Sequence, residues 1–83
     1  MKVLKIYSRT CGPCRVLENN LEFAEIPHES IDIQTTYGGY IVDKYEVKAV
    51  PTLLLVDEEG EVIKRHTGVL GVQELKEFCN EIM

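Results

Sequence analysis

No stretch of this sequence stays apolar for the roughly 20 residues a helix needs to cross a bilayer. No basic stripe runs through it either. The 9 basic residues are scattered from Lys2 to Lys76, against 14 acidic ones, for a net charge of −5. A nucleic-acid binder needs clustered cations to replace counterions on the phosphates, so neither nucleic acid nor membrane is an expected partner. Cysteine is scarce as well: Cys11, Cys14 and Cys79 are too few for the four, six or eight of a disulfide scaffold. There is no internal repeat and no low-complexity tract. Gly38-Gly39 lacks the following Lys-Ser/Thr of a phosphate-cradling loop, and reads as a turn.

The opening segment, Met1 to Tyr7, is interrupted by Lys2 and Lys5. It is too short and too charged for a secretory signal, and a cytoplasmic location is the expectation. In a reducing compartment a close cysteine pair is catalytic or metal-binding more often than structural.

What is present suffices for one domain over residues 1–83, with 45% apolar residues. A chain this small buries about 60% of the surface its unfolded form exposes. Lys2 to Ser8 is nearly continuous in Val, Ile, Leu and Tyr, as in a strand covered on both faces. Val16, Leu17, Asn20, Leu21 and Ala24 then recur at helical spacing, with Pro13 suited to the first helical turn. The remainder predicts a strand over His28–Ile33, a turn over Thr35–Gly39 and a short helix over Tyr40–Val47. After Pro51 it predicts a buried strand over Thr52–Val56. A hairpin turn follows at Asp57–Gly60, then an edge strand over Glu61–Thr67. Val72, Leu75, Phe78, Cys79 and Ile82 mark a last amphipathic helix. The order is βαβαββα. With a right-handed first crossover, this gives an α/β fold: a four-stranded mixed sheet with helices on both faces.

Two residues separate Cys11 from Cys14, which places them one helical turn apart at a helix N-terminus. The sulfurs reach bonding distance, and the pair switches between dithiol and disulfide with little motion elsewhere. Unpaired N–H groups and the macrodipole favour an anion there. Moving a thiol from pKa about 8.5 to about 7 takes roughly 2 kcal/mol. The dipole supplies about 0.3–1 kcal/mol, and up to ~2 in good geometry. A hydrogen bond from the Cys14 thiol would supply the rest. Cys11, at the exposed end of the loop, is expected to attack a disulfide and Cys14 to resolve the mixed disulfide. Zinc would need two more ligands, and His28, His66 and Cys79 have no matching spacing. A cluster bridged between two chains is disfavoured, since four thiolates are usual. Neither metal nor cofactor is expected; the redox group is the Cys11–Cys14 disulfide itself.

These residues bring in a resemblance. Thr10-Cys11-Gly12-Pro13-Cys14-Arg15 looks like the thioredoxin active site, a Cys-Gly-Pro-Cys followed by a basic residue. Tyr45 to Leu55, with Val50-Pro51-Thr52 at the family spacing, is also similar to thioredoxin. So are Gly60-Glu61-Val62, Gly68 and Gln73 to Phe78. The resemblance implies the thioredoxin fold, with Pro51 as its cis-proline facing the cysteines. It implies a groove of Thr10, Val50 and Gly68 in which the Val50 backbone pairs with a substrate chain. Active-site loop residues would be Thr10, Gly12, Pro13 and Arg15. Partners would be a thioredoxin reductase or similar dithiol donor and disulfide-bearing proteins, with the protein a monomer.

Three departures stand out. The length is that of a glutaredoxin, without the N-terminal strand and helix of ordinary thioredoxins. Thr10 stands where tryptophan is usual. Lys5 stands where a buried acid is usual, an acid that assists proton transfer at the second cysteine. If Lys5 points at the cysteines, its charge modulates their pKa by favouring thiolate. Otherwise it snorkels along the strand and pairs with Asp32 or Glu29. Tyr7-Ser8-Arg9-Thr10 resembles a glutaredoxin opening, yet the glutathione-holding glycines and acid are absent from Thr67–Gly71.

The remaining residues have plain readings. Cys79 is a small core residue. His28 and His66 are surface strand residues without a partner in the sequence. Tyr37, Tyr40 and Tyr45 pack around a short helix. Arg9 and Arg15 either solvate the active-site rim or steer acidic substrates. Three functions follow: a protein-disulfide reductase, a glutathione-dependent glutaredoxin-like enzyme, or a non-catalytic docking module. An intact cysteine pair argues against the last.

Overall fold

The structure is a computed structural model that describes residues 1–80. Its elements are β1 (Lys2–Tyr7), α1 (Gly12–Phe23), β2 (Glu29–Asp32), α2 (Thr36–Tyr45), β3 (Thr52–Val56), β4 (Val62–Thr67) and α3 (Val72–Phe78). The strands lie in the order β2-β1-β3-β4, with β1 parallel to β2 and antiparallel to β3, and β3 antiparallel to β4. The expected βαβαββα order and mixed sheet are therefore both present. No helix among the described residues is long and apolar enough to cross a membrane.

The near-continuous apolar character of β1 and β3 follows from their central places, with both faces covered. Side chains alternate between faces along each strand. Val3, Leu53 and Leu55 join Leu17 and Leu21 of α1 and Leu75 of α3 in one cluster, with Cys79 at the end of α3. Leu4, Ile6, Leu54 and Val56 join Ile31 of β2 and Ile41 of α2 in the other. By the same alternation Lys5 belongs to the α1 and α3 side.

Several boundaries differ from those the sequence predicts, each for a local reason. The Thr35–Gly39 turn is the start of α2. The Thr35 hydroxyl caps it, accepting from the Gly38 N–H at 2.9 Å and donating to the Asp32 carbonyl at 2.8 Å. Gly38 is there for close approach: a Cβ would collide with the Asp32 carbonyl oxygen. The helix stops at Tyr45 rather than Val47 because Glu46 turns left-handed, at φ 52°. β2 begins at Glu29, since the His28 ring is tied to the Ile26 carbonyl instead of lying along a strand. β4 begins at Val62, after the turn whose Gly60 has φ 82°. In α1 the buried residues are Cys14, Leu17 and Leu21, and Val16 is exposed on the other side. Ile82, expected on the last helix, lies outside the described residues.

Tyr45 packs half-buried and donates its hydroxyl to the Gly60 carbonyl at 2.8 Å. Tyr37 and Tyr40 are exposed. Cys79 is fully buried, and His66 is a strand residue of β4.

Candidate functional site

β1 ends at Tyr7, and a short loop carries the chain to α1. Cys11 is the N-cap residue of that helix: its backbone is extended, and its sulfur accepts the Cys14 backbone N–H at 3.1 Å. Pro13 sits in the first turn, where no intrahelical acceptor awaits its missing N–H. Cys11 and Cys14 form a disulfide with their Cα atoms 5.2 Å apart, within the ordinary range for a bridge. No acidic residue lies in the first turn, so nothing there opposes a developing thiolate.

The two sulfurs are not equivalent. Cys14 is 2% exposed, whereas Cys11 is only partly covered and is flanked by exposed Thr10, Gly12 and Pro13. Arg15 is exposed too. Arg9 is committed to a partner: its Nε donates to Asp32 at 2.6 Å. That contact raises the Arg9 pKa. A backbone N–H from Gln34, together with the Arg9 guanidinium, lowers that of Asp32.

The sheet register brings the other candidates to the same end of the molecule. Thr52 pairs with Ile6 on one side and with Thr67 on the other. Pro51 and Gly68 therefore flank the end of β1 from which the cysteine loop departs. The Val50–Pro51 peptide is cis, as the resemblance implies, and Pro51 is buried. Gly68 has φ 108° and donates its N–H to the Pro51 carbonyl at 2.9 Å, a conformation that favours glycine. Val50 is half-buried against the α2-side cluster.

Behind Cys14 lies a cavity of about 490 Å³, lined by Cys14 with Lys5, Tyr7, Glu18 and Ser30 among others. Lys5 is only 4% exposed. It pairs with neither Asp32 nor Glu29, the partners expected from the sequence; those hold Arg9 and Lys2 instead. Its ammonium donates to Glu18 Oε1 at 2.5 Å and lies 4.6 Å from the centre of the Tyr7 ring.

Glu18 and His28 are the residues sequence reasoning missed. The readable signal was that Glu18 follows Cys14 by four residues, hence on the same helix face. His28, expected without a partner at the surface, meets Glu18 Oε1 through Nε2 at 3.0 Å. Burial pushes the Glu18 pKa up. Hydrogen bonds from Lys5 and His28, with the charge on Lys5, outweigh this and hold it at about 2. Among the described residues no three His, Cys, Asp or Glu side chains gather as a metal site, and Cys79 stays in the core cluster.

Comparison with known proteins agrees with this geometry. The family profile described as thioredoxin matches residues 1–81. The SPbeta prophage-derived thioredoxin-like protein YosR of Bacillus subtilis is 29% identical over 82 residues, 99% of each chain. A thioredoxin of Chlamydia pneumoniae is 33% identical over 84 residues, covering 98% of this chain and 78% of that one. Among solved structures, a thioredoxin from Halobacterium salinarum superimposes with a TM-score of 0.80 at 29% identity. That match covers 95% of this chain and 71% of the other.

Proposed function

The chain belongs to the thioredoxin family, and from that premise we propose that it is a protein-disulfide reductase with Cys11 as nucleophile and Cys14 as resolving thiol. One observation carries the assignment: the two cysteines bridge at the N-terminus of α1, with Cys11 accessible and Cys14 buried. In the reduced protein the Cys11 thiolate attacks a substrate disulfide, forming one S–S bond and releasing one substrate thiolate. Cys14 loses its proton and attacks Cys11 Sγ; the Cys11–Cys14 bond forms and the second substrate thiolate leaves. Two electrons pass from the protein to the substrate, so a dithiol donor must return two.

In this reading the donor is a thioredoxin reductase, and the protein works as a monomer in a reducing cytoplasm. Extended substrate chains lie against Val50, Pro51, Gly68 and Thr10. The register that gathers Pro51 and Gly68 at the cysteine end of the sheet supports the groove. Lys5, on the cavity shared with Cys14, modulates the thiol pKa.

The test is reduction of insulin by dithiothreitol, repeated with NADPH plus a thioredoxin reductase and with glutathione. Acceleration by the first two, and not by glutathione, is the expected result. Turnover with glutathione alone would make the protein a glutaredoxin-like enzyme. No acceleration in any arm would leave a docking module.

A further inference from the structure

Glu18 is the one carboxylate lining the cavity that Cys14 also lines. It stands four residues beyond Cys14 on α1, so their Cβ atoms lie about 5–6 Å apart on one helix face. Its Oε1 receives the Lys5 ammonium, the His28 ring at 3.0 Å and the Ser30 hydroxyl at 3.4 Å. Three donors from β1, β2 and the segment before β2 converge on one oxygen.

Each contact has a charge consequence. The Lys5 side chain is 6% exposed, and a cation that deep persists because an anion is beside it. The His28 side chain is 10% exposed, with Nδ1 2.8 Å from the Ile26 carbonyl oxygen and Nε2 facing Glu18. A carbonyl and a carboxylate both only accept, so both contacts are hydrogen bonds when each ring nitrogen carries a hydrogen. In that state two cations share one anion next to Cys14. With His28 neutral, Glu18 and Lys5 cancel one another.

We propose that Glu18 and His28 are positioning residues for Cys14: Glu18 holds and offsets the Lys5 ammonium, and His28 sets how much of that positive charge is left to favour the Cys14 thiolate. The proposal rests on the reading of Cys14 as the resolving thiol. The other groups around the cavity do not take this part. Arg9 is paired with Asp32, and Arg15, which also lines the cavity, is an exposed side chain whose charge solvent screens. Tyr7 presents its ring face to Lys5.

The experiment uses the full chain with cysteine labelled with carbon-13 at Cβ. Dithiothreitol breaks the Cys11–Cys14 bond with two electrons and closes to its own disulfide; each freed sulfur is then a thiol or a thiolate. NMR titration reads Cys14 separately from Cys11 and Cys79. Lys5→Met should move the Cys14 midpoint up and Glu18→Gln should move it down, each by about one pH unit. His28→Gln should change the shape of the Cys14 curve, and a curve identical to wild type in that variant overturns the part given to His28. Shifts of the same sign in Lys5→Met and Glu18→Gln, or an unmoved curve in Glu18→Gln, overturn the proposal. Glu18→Gln conserves size, and its downward shift is required even if Lys5→Met fails to fold. Insulin reduction on the same wild-type sample separates the two readings. An inactive protein defeats the reductase, while an active one with an unmoved Cys14 curve defeats only this charge-setting role.

Discussion

Beneath α2 the sheet presents Leu4, Ile6, Ile31, Leu54 and Val56, with no charged side chain buried among them; the one cation on this face, Arg65, is exposed and bonds the Tyr45 and Glu46 carbonyls at the end of α2. Beneath α1 and α3 it presents Val3, Leu53 and Leu55, and then, at the end nearest the cysteines, Lys5. The same two central strands supply both faces. The first face buries no charge, and its buried hydroxyl, that of Thr52, is satisfied by the Ala49 carbonyl at 2.6 Å. The second breaks that pattern once, by burying a lysine, and does so beside Cys14. Violations of local consistency concentrate where function is placed, and here one strand shows both conditions one residue apart.

The difference between the faces can be broken most severely at the cysteines. Cys11→Ser should reduce insulin turnover to the uncatalysed background with the fold intact by circular dichroism. Cys14→Ser should still attack and stall as a mixed disulfide, visible by mass spectrometry. Mixed disulfides trapped by Cys11→Ser and not by Cys14→Ser would reverse the roles.

A truncation on the α2 face should do the opposite. Ile41 is 4% exposed, and Ile41→Ala should cost about 2–5 kcal/mol in urea unfolding. Turnover per folded molecule should be unchanged.

The two glycines of α2 sharpen the same face. Gly38→Ala forces a Cβ into the Asp32 backbone, and should cost about 1–3 kcal/mol by overpacking. Gly39 has open space around its Cα, and Gly39→Ala should add about 0.5–1 kcal/mol through helix propensity. Equal effects of the two in thermal melts would contradict the close contact at Gly38.

On the α1 side, Cys79→Ala should keep full turnover and lose about 1 kcal/mol through the small void left. A dead, folded Cys79→Ala would assign that thiol a redox part.

The smallest effect concerns acid stability. The Glu18 pKa is depressed from its usual 4.5 to about 2, so its contribution is complete above 4.5 and is lost as pH falls toward 2. The carboxylate is 28% exposed and partly screened, so the loss should be modest. Glu18→Gln should flatten the stability-against-pH curve in that window, measured by urea midpoints. An unchanged slope would mean the ion pair contributes nothing there.

The element order, the central strands and the cysteine pair were legible in the sequence because each leaves a local signature. β1 and β3 are continuous apolar runs, and Cys11 and Cys14 have helical spacing with Pro13 between them. The start of α2 was not legible. Thr35, Gly38 and Gly39 have the composition of a turn, and only contact with Asp32 shows why glycine suits a helix there. Nor was the partner of Lys5. Choosing among Asp32, Glu29 and Glu18 requires the rotation of α1 over the sheet, a tertiary quantity with no periodicity to reveal it. His28 misled for a related reason: its neighbours alternate like a strand, while its ring turns toward the carboxylate of a helix.

The central place of β1 also has a consequence in time. Its first residue, Lys2, pairs with Val56, and Ile6 pairs with Thr52. The segment that carries the cysteines leaves the ribosome before β3 does, but the antiparallel ladder that seats it needs that later strand. Contacts so distant in sequence close late, because the intervening loop loses its entropy before the pairing rewards it. The α1 crossover can join β1 to β2 beforehand, yet β1 remains an open edge until β3 arrives. During synthesis the nucleophile therefore exists before its scaffold does. A nascent chain arrested short of Thr52 exposes both thiols on an unfinished sheet, and protection of Cys11 and Cys14 from alkylation would mark the moment the central ladder closes.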